Sequence, residues 1–265
     1  MTTTINLPEL KSFLQNLVLK VGNLTVMQYG KCEQITMKND NPHNIASEVD
    51  EKANTIFIRE LQNKFPSIGI LTEEATNPIN PNAAIQIIVD PLDGSNNFYS
   101  GAGFYAIMAS VIIDRIPQYS LIYNPILKKI YAAETGKGAT MNGVHITVSK
   151  QFDLKSSKML TNDSLKHFRV WAMCYLHKLD QNIWMQAIGS CGISAALVAD
   201  GSKDLFLSNG NGGLWDHIPT THLIKEAGGV ILDLEGKPWD YSNAKPYIAG
   251  NSYLVGQLVT YLQKQ

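Results

Sequence analysis

Apolar positions recur in this chain first at helical spacing and then in short runs. From Pro8 to about Tyr29, Leu10, Phe13, Leu14, Leu17, Val18 and Val21 fall on one helical face, which predicts an amphipathic helix that Gly30 can end. A polar loop follows at Lys38-Asn39-Asp40-Asn41-Pro42. A second helix is expected from 44–47 to just before Pro66, with Val49, Ala53, Ile56, Phe57 and Leu61 as its stripe. Short runs then take over. Ser67 to Leu71 reads as a strand ending in Thr72-Glu73-Glu74. Ile85 to Val89 reads as a strand buried on both faces. Phe104 to Ile113, Gln118 to Tyr123 and Lys129 to Ala133 read as a meander, with a tight turn at Asn142-Gly143.

Near Gln151 to Lys155 the composition turns polar, which suggests two halves, 1–150 and 151–265, in one unit. Strand and helix alternate in the second half. Strands are expected at Lys158 to Thr161, ending at Ile188-Gly189-Ser190, at Asp204 to Leu207 and at Tyr247 to Gly250. Helices are expected over 164–177, over a small-residue stretch from Gly192 to Asp200, after Leu214-Trp215-Asp216, and from Ser252.

Composition narrows the class. The 265 residues are 45% apolar and 17% charged with a net charge of −1, which fits a globular enzyme and offers no field for nucleic acid or an anionic membrane. The start has no secretory pattern, and no apolar stretch is long enough to span a bilayer, so a cytoplasmic protein is expected. Three scattered cysteines, Cys32, Cys174 and Cys191, show neither zinc spacing nor a redox pair.

The candidate chemistry centres on Asp90-Pro91-Leu92-Asp93-Gly94-Ser95. Pro91 should stop the sheet pairing, Gly94 can take a positive φ, and Ser95 can cap a short helix over Asn96, Asn97 and Phe98. Two acidic side chains, a turned-out Leu92 carbonyl and helix-start N–H groups could hold a hard cation and a phosphate. Asp-Pro and Asp-Gly are also common turn formers that only hold a loop. An EF-hand is excluded, because its acidic residues alternate and these are three apart. By themselves, Asp50 reads as a solvated residue favoured by its helix start, and Asp216 as an N-cap with Pro219 in the first turn. His217 reads as a surface or supporting residue. Of Glu73 and Glu74, the first is the better ligand because it follows a buried strand. The polar composition of 31–44 suggests a mobile metal-binding loop.

These motifs together resemble a known family. Asp90-Pro91-Leu92-Asp93-Gly94-Ser95, followed by Asn97-Phe98, resembles the first signature of the inositol monophosphatase family. Trp215-Asp216, followed after a helix by Glu226-Ala227-Gly228-Gly229, resembles its second, and Asp50 and Glu73-Glu74 fall where the family keeps acidic residues. The resemblance implies an α-β-α-β-α layered sandwich, usually a homodimer. It also implies hydrolysis of small phosphate monoesters, first inositol monophosphate or a similar polyol or sugar phosphate, with two or three Mg2+ ions, Mn2+ as a substitute, and frequent inhibition by lithium. Carried over, Glu73, Asp90 and the Leu92 carbonyl would hold a first ion. Asp90, Asp93 and Asp216 would hold a second, and Glu73 would help hold a third through water. Gly94 and Ser95 N–H groups would hold phosphate, with Asp50 acting on Ser95. Gly192, Ile193, Ser194 and Asn209 would line the alcohol side, with Asp93 and Asp216. Oxygen-only ligands with no Cys or His select magnesium, manganese or calcium over zinc.

The chain also departs from the family. Asn209 stands where inositol phosphatases usually carry a carboxylate, Gly192-Ile193 replaces a Gly-Thr pair, and Ser95 replaces the commoner threonine. Asn96-Asn97 argues against the relatives that act on phosphoadenosine phosphate. The same chemistry on fructose bisphosphate, histidinol phosphate or a nucleotide phosphate is an alternative, and so is a regulatory protein without turnover.

Overall fold

The first predicted helix forms as α1, Leu7–Gln28. The Asn6 side chain accepts the Glu9 N–H at 3.4 Å, and Pro8 sits in the first turn, where its missing N–H costs nothing. The computed structural model describes residues 5–31, 35–38, 41–161, 184–242 and 245–264, so the helix predicted over 164–177 lies outside the described residues. The second helix, α2, starts later than expected, at Glu48–Lys64. The segment before it is a two-stranded antiparallel ladder, β1 (Ile35–Lys38) with β2 (Asn41–Ser47), where only a loop was expected. Such a ladder consists of edges only, so Pro42 can lie in it cheaply.

Seven strands then form one sheet in chain order: β3 (Gly69–Thr72), β4 (Ile85–Asp93), β5 (Ala106–Ile113), β6 (Ile116–Asn124), β7 (Lys129–Glu134), β8 (Gly138–Met141) and β9 (Val144–Ile146). Strands β3 and β4 are parallel and the rest is the expected antiparallel meander. Asn142 and Gly143, with φ of 50° and 79°, make the tight turn from β8 to β9. A short helix, α3 (Ser95–Ser100), leaves the end of β4.

The second sheet has the order β11-β10-β12-β14-β13, from β10 (Lys158–Thr161), β11 (Trp184–Ala187), β12 (Leu205–Ser208), β13 (Val230–Asp233) and β14 (Tyr247–Gly250). Among the described residues the α-helices of this half are α4 (Cys191–Ala199), α5 (Leu214–Glu226) and α6 (Ser252–Gln263).

Strand periodicity sets the layering. Ile107, Ala109 and Val111 of β5 pack with Leu14 of α1 and Phe57 of α2. The alternate residues Ala106 and Met108 pack with Ala195 of α4, Leu223 of α5 and Phe206 of β12. Leu205 and Leu207, on the other face of β12, pack with Leu254 and Leu258 of α6. The order of layers is therefore α1 and α2, large sheet, α4 and α5, small sheet, α6: the expected α-β-α-β-α sandwich. A fully buried side chain such as Phe57 contributes about 2 kcal/mol through apolar burial. No helix among the described residues is long and apolar enough to cross a membrane.

Candidate active site

Strand β4 does not stop at Asp90. Asp90 pairs with Met108, then three steps along β4 match two along β5, and pairing resumes between Asp93 and Ala106. Pro91 thus produces a bulge rather than an end, because one extra residue absorbs its missing N–H. The bulge leaves Asp90 and Asp93 both buried, 1% and 7% exposed, at the edge of the α4 and α5 layer. The Asp90 carboxylate accepts the Leu92 N–H at 2.9 Å. Gly94, and not Ser95, is the N-cap of α3: its φ is 86°, and a Cβ there would lie 2.8 Å from the Phe104 carbonyl oxygen.

Ser95 is the first residue of α3. Its Oγ lies 3.1 Å from Asp50 Oδ1 and 3.2 Å from the Leu92 carbonyl oxygen, so one hydroxyl proton faces two acceptors. Asp50, read as solvated, is 1% exposed. Asn97, within α3, ties that helix to distant chain by donating from Nδ2 to the carbonyls of Phe104 and Ile188, both at 2.8 Å.

Helix α4 points its start at Asp93. The Asp93 carboxylate accepts the Gly192 N–H at 2.8 Å, the Cys191 N–H at 3.2 Å and the Ser190 hydroxyl. An anion at a helix N-terminus is stabilised by the orphan N–H groups and the helix dipole. Gly192 permits this approach: a Cβ would lie 2.6 Å from Met108 Sδ and 2.9 Å from Asp93 Oδ2.

Helix α5 supplies Asp216, at its third residue and not as its cap. Gly213 is the N-cap, and Asp216 Oδ2 accepts the Gly213 N–H at 2.8 Å. Pro219 therefore lies in the second turn. Nearby carbonyls gain side-chain donors: Thr220 Oγ1 bonds the Asp216 carbonyl at 2.7 Å and Thr221 Oγ1 the His217 carbonyl at 2.6 Å. His217 is buried, not at the surface. Its Nε2 lies 3.2 Å from the Gly210 carbonyl, and its ring packs 5.3 Å from Trp239 and 5.8 Å from Tyr247. Burial lowers its pKa. At the far end of α5, Glu226 accepts the Gly136 and Gly138 N–H groups, each at 3.0 Å, which fastens the helix to the β7–β8 turn.

Between Asp93 and Asp216 sits Cys191, whose Sγ is 3.4 Å from Asp93 Oδ1 and 3.2 Å from Asp216 Oδ1. The electrostatics follow from crowding. Burial and then the negative charges of Glu73, Asp93 and Asp216 raise the Asp90 carboxyl well above the usual range. Burial, then Glu73 and Asp93, lift Asp216 to about 7. Burial raises Asp93 too, against its hydrogen bonds to Ser190, Gly192 and Cys191. Burial and the surrounding carboxylates push the Cys191 thiol well up.

The structure thus brings Asp90, Asp93, Asp216 and Glu73 within electrostatic reach of one another and links Asp50 to Ser95. Gly192, Ile193 and Ser194 sit at the start of α4 with their hydrogen-bonding groups turned inward: Ile193 N–H goes to Ser190 Oγ at 3.1 Å and Ser194 Oγ to the Ser190 carbonyl at 2.7 Å. Asn209, 4% exposed, accepts the Asn211 N–H at 2.8 Å. Within the region read as a mobile 31–44 loop, residues 35–38 and 41–44 are strand. Sequence reasoning missed Cys191 and Ser190. The signal was there: both directly precede Gly192, at the start of a helix already marked for ligand approach.

Comparison with known proteins is consistent with this geometry. The model of the inositol monophosphatase family matches residues 6–265. Inositol monophosphatase 1 of Solanum lycopersicum is 30% identical over 226 residues, 83% of this chain and 82% of that protein. The Nus factor SuhB of Xylella fastidiosa is 30% identical over 220 residues, 81% and 78% of the two chains. The crystal structure of the extragenic suppressor protein suhB from Bartonella henselae superposes with a TM-score of 0.88 at 28% identity, covering 97% of this chain and 99% of that one.

Proposed function

The chain belongs to the inositol monophosphatase family, and we propose that it hydrolyses a small phosphate monoester, of a polyol or sugar, with the aid of divalent cations. The observation that carries this reading is the buried carboxylate cluster: Glu73, Asp93 and Asp216 raise the pKa of Asp90, Glu73 and Asp93 raise that of Asp216, and burial raises Asp93. Two like charges about 4 Å apart cost about 4 kcal/mol at an effective dielectric of 20, a cost that bound cations remove. The donors fit such cations. They are carboxylate oxygens plus the Leu92 carbonyl, which suit hard ions, magnesium first and manganese as a substitute.

On this reading Glu73, Asp90 and the Leu92 carbonyl would hold one ion, Asp90, Asp93 and Asp216 would hold a second, and Glu73 would help hold a third through water. The ions when bound would supply a water of lowered pKa and neutralise the leaving oxygen. The chain does the rest. Gly94 and Ser95 N–H groups at the start of α3 hold the phosphate, and Ser95 Oγ passes a water proton toward Asp50, 3.1 Å away. Glu73 shares in removing that proton. Water is the nucleophile, so no phospho-enzyme forms. Asn209 would bond a substrate hydroxyl through an uncharged amide, with Gly192, Ile193 and Ser194 as the adjoining wall.

Lithium inhibition, a homodimer and a cytoplasmic location are parts of the same proposal, supported by the family resemblance. The test is a panel of phosphomonoesters, including inositol phosphate, fructose bisphosphate, histidinol phosphate and a nucleotide phosphate, with kcat/KM measured for each. Phosphate release should need Mg2+ and fall by orders of magnitude in Asp93→Asn. Full activity in EDTA would sink it. The similarity to a Nus factor favours a second reading, a regulatory family member. Tight Mg2+ binding without turnover on the whole panel would select that one.

A further inference from the structure

We infer that His217 is a positioning residue for substrate choice: it braces the loop from Ser208 to Gly213, and through it Asn209, against the alcohol half of the phosphate ester. The inference rests on the ester-hydrolysis reading above and goes beyond it, since it concerns which ester is taken and not how phosphate is released. The loop joins the end of β12 to the start of α5. It borders the carboxylates directly. The Gly213 N–H bonds Asp216 Oδ2 at 2.8 Å, and a Cβ on Gly212 would lie 2.6 Å from the same oxygen. Asn209 is buried just past the carboxyl end of β12, a usual place for ligand-contacting groups in α/β sheets.

Such a loop needs an outside brace. Gly210 and Gly212 have φ of 74° and 128°, and glycine backbone is costly to order. Gly210 is gripped by both of its polar groups: its N–H donates to Ser208 Oγ at 3.2 Å, and its carbonyl lies 3.2 Å from His217 Nε2. A carbonyl only accepts, so Nε2 carries the imidazole proton in this contact. Ser208 is bonded in turn by the Tyr247 hydroxyl, which also meets Thr220 of α5. Space behind the loop is closed as well. A Cβ on Gly210 would run into the Lys245 carbonyl, which accepts the Trp239 Nε1–H at 2.8 Å. The His217 ring stands edge-on to Trp239 and Tyr247, 5.3 and 5.8 Å away, and cannot swing off the loop. Asn209 is the chain neighbour of Gly210, so whatever frees Gly210 frees Asn209. The phosphate end depends on other elements, the N–H groups that open α3. Losing the His217 donor therefore loosens the grip on the alcohol and leaves the reacting end in place.

The test compares two esters in the full chain with Mg2+: inositol monophosphate, whose hydroxyls can reach Asn209, and phenyl phosphate, which has none. His217→Phe keeps the ring packing and removes the donor. His217→Gln places an amide N–H the same number of bonds from Cα. In His217→Phe the KM for inositol monophosphate should rise about fivefold to tenfold, the worth of one neutral hydrogen bond, with kcat little changed. Both constants for phenyl phosphate should stay near wild type, and His217→Gln should restore the first KM. Tyr247→Phe removes only the hydroxyl behind Ser208 and should show the same split; it decides the matter if circular dichroism finds His217→Phe unfolded. A parallel loss on both esters, an unchanged KM for inositol monophosphate, or no rescue by glutamine overturns the inference. The two readings fail separately. Mg2+-dependent turnover of both esters without the split defeats only this inference. Without turnover, the same split read as Kd by calorimetry supports it while the phosphatase reading fails, and a chain that does not bind inositol monophosphate defeats it.

Discussion

Replacing Asp216 by asparagine should stabilise the metal-free protein, although it removes a proposed ligand. Asp216 is partly buried, and burial together with Glu73 and Asp93 lifts it from 3.8 to about 7. Between these values the unfolded chain ionises while the folded one stays protonated. Folding stability is therefore lost as pH rises through this window, at about 1.4 kcal/mol per unit, and the loss is complete above about pH 7. The whole penalty is about 4 kcal/mol. Asparagine escapes it, keeps an oxygen for the Gly213 N–H, and sacrifices about 1 kcal/mol in its contact with Cys191. The net gain at pH 8 is about 3 kcal/mol, or about 9 °C in Tm for a chain of this size. At pH 4 the gain should vanish. Thermal or urea unfolding in EDTA, run on both proteins across this range, measures it, and taking the difference cancels the titrating groups that do not interact with Asp216. With Mg2+ at a hundredfold its Kd the wild type gains about 2.7 kcal/mol that the variant lacks, which erases most of the difference. A variant less stable than wild type in EDTA at pH 8, or an advantage independent of pH, would refute the electrostatic argument.

Other outcomes follow from single contacts. Gly192→Ala places a Cβ 2.6 Å from Met108 Sδ and 2.9 Å from Asp93 Oδ2. It should cost about 2 kcal/mol of stability by overpacking, and phosphate release should fall with it because Asp93 is pushed aside. Asp50→Asn leaves an oxygen for the Ser95 hydroxyl but replaces the carboxylate that can take up a proton with an amide that cannot. It should lower kcat by about 100-fold or more with KM little changed, as loss of a proton acceptor does; an equal effect on both constants would place Asp50 in binding instead. His222 is buried between Ser120 Oγ at 2.8 Å and Thr135 Oγ1 at 2.9 Å, and burial depresses it from 6.5 to about 4. Because the unfolded histidine takes up a proton first, stability should fall by about 3 kcal/mol as pH drops through that window. His222→Gln should lose stability at pH 7.5 but flatten this slope, which acid-limb urea titrations would show.

The layers were legible because they depend on periodicity. Leu10, Leu14 and Leu17 announce one helix face, and the alternation of Ala106 with Ile107 and of Met108 with Ala109 assigns each face of β5 to a different helix layer. The acidic set was legible for a different reason: Asp90 and Asp93 are local to one motif, and the family resemblance supplied Asp216 and Glu73. What failed was local geometry decided by distant partners. Proline in a strand predicts an end, yet at Pro91 the neighbouring β5 resumes pairing and makes a bulge. Asp216 in front of Pro219 looks like a cap, yet Gly213 starts the helix earlier because the Asp216 carboxylate can reach back to its N–H. Asp50 looks solvated until α3 lies across it. Cys191 is the sharpest case. Spacing rules search for cysteine near cysteine or histidine, and nothing along the chain relates it to Asp93 or Asp216, 98 and 25 residues away. Only the packing of α4 against α5 brings them together.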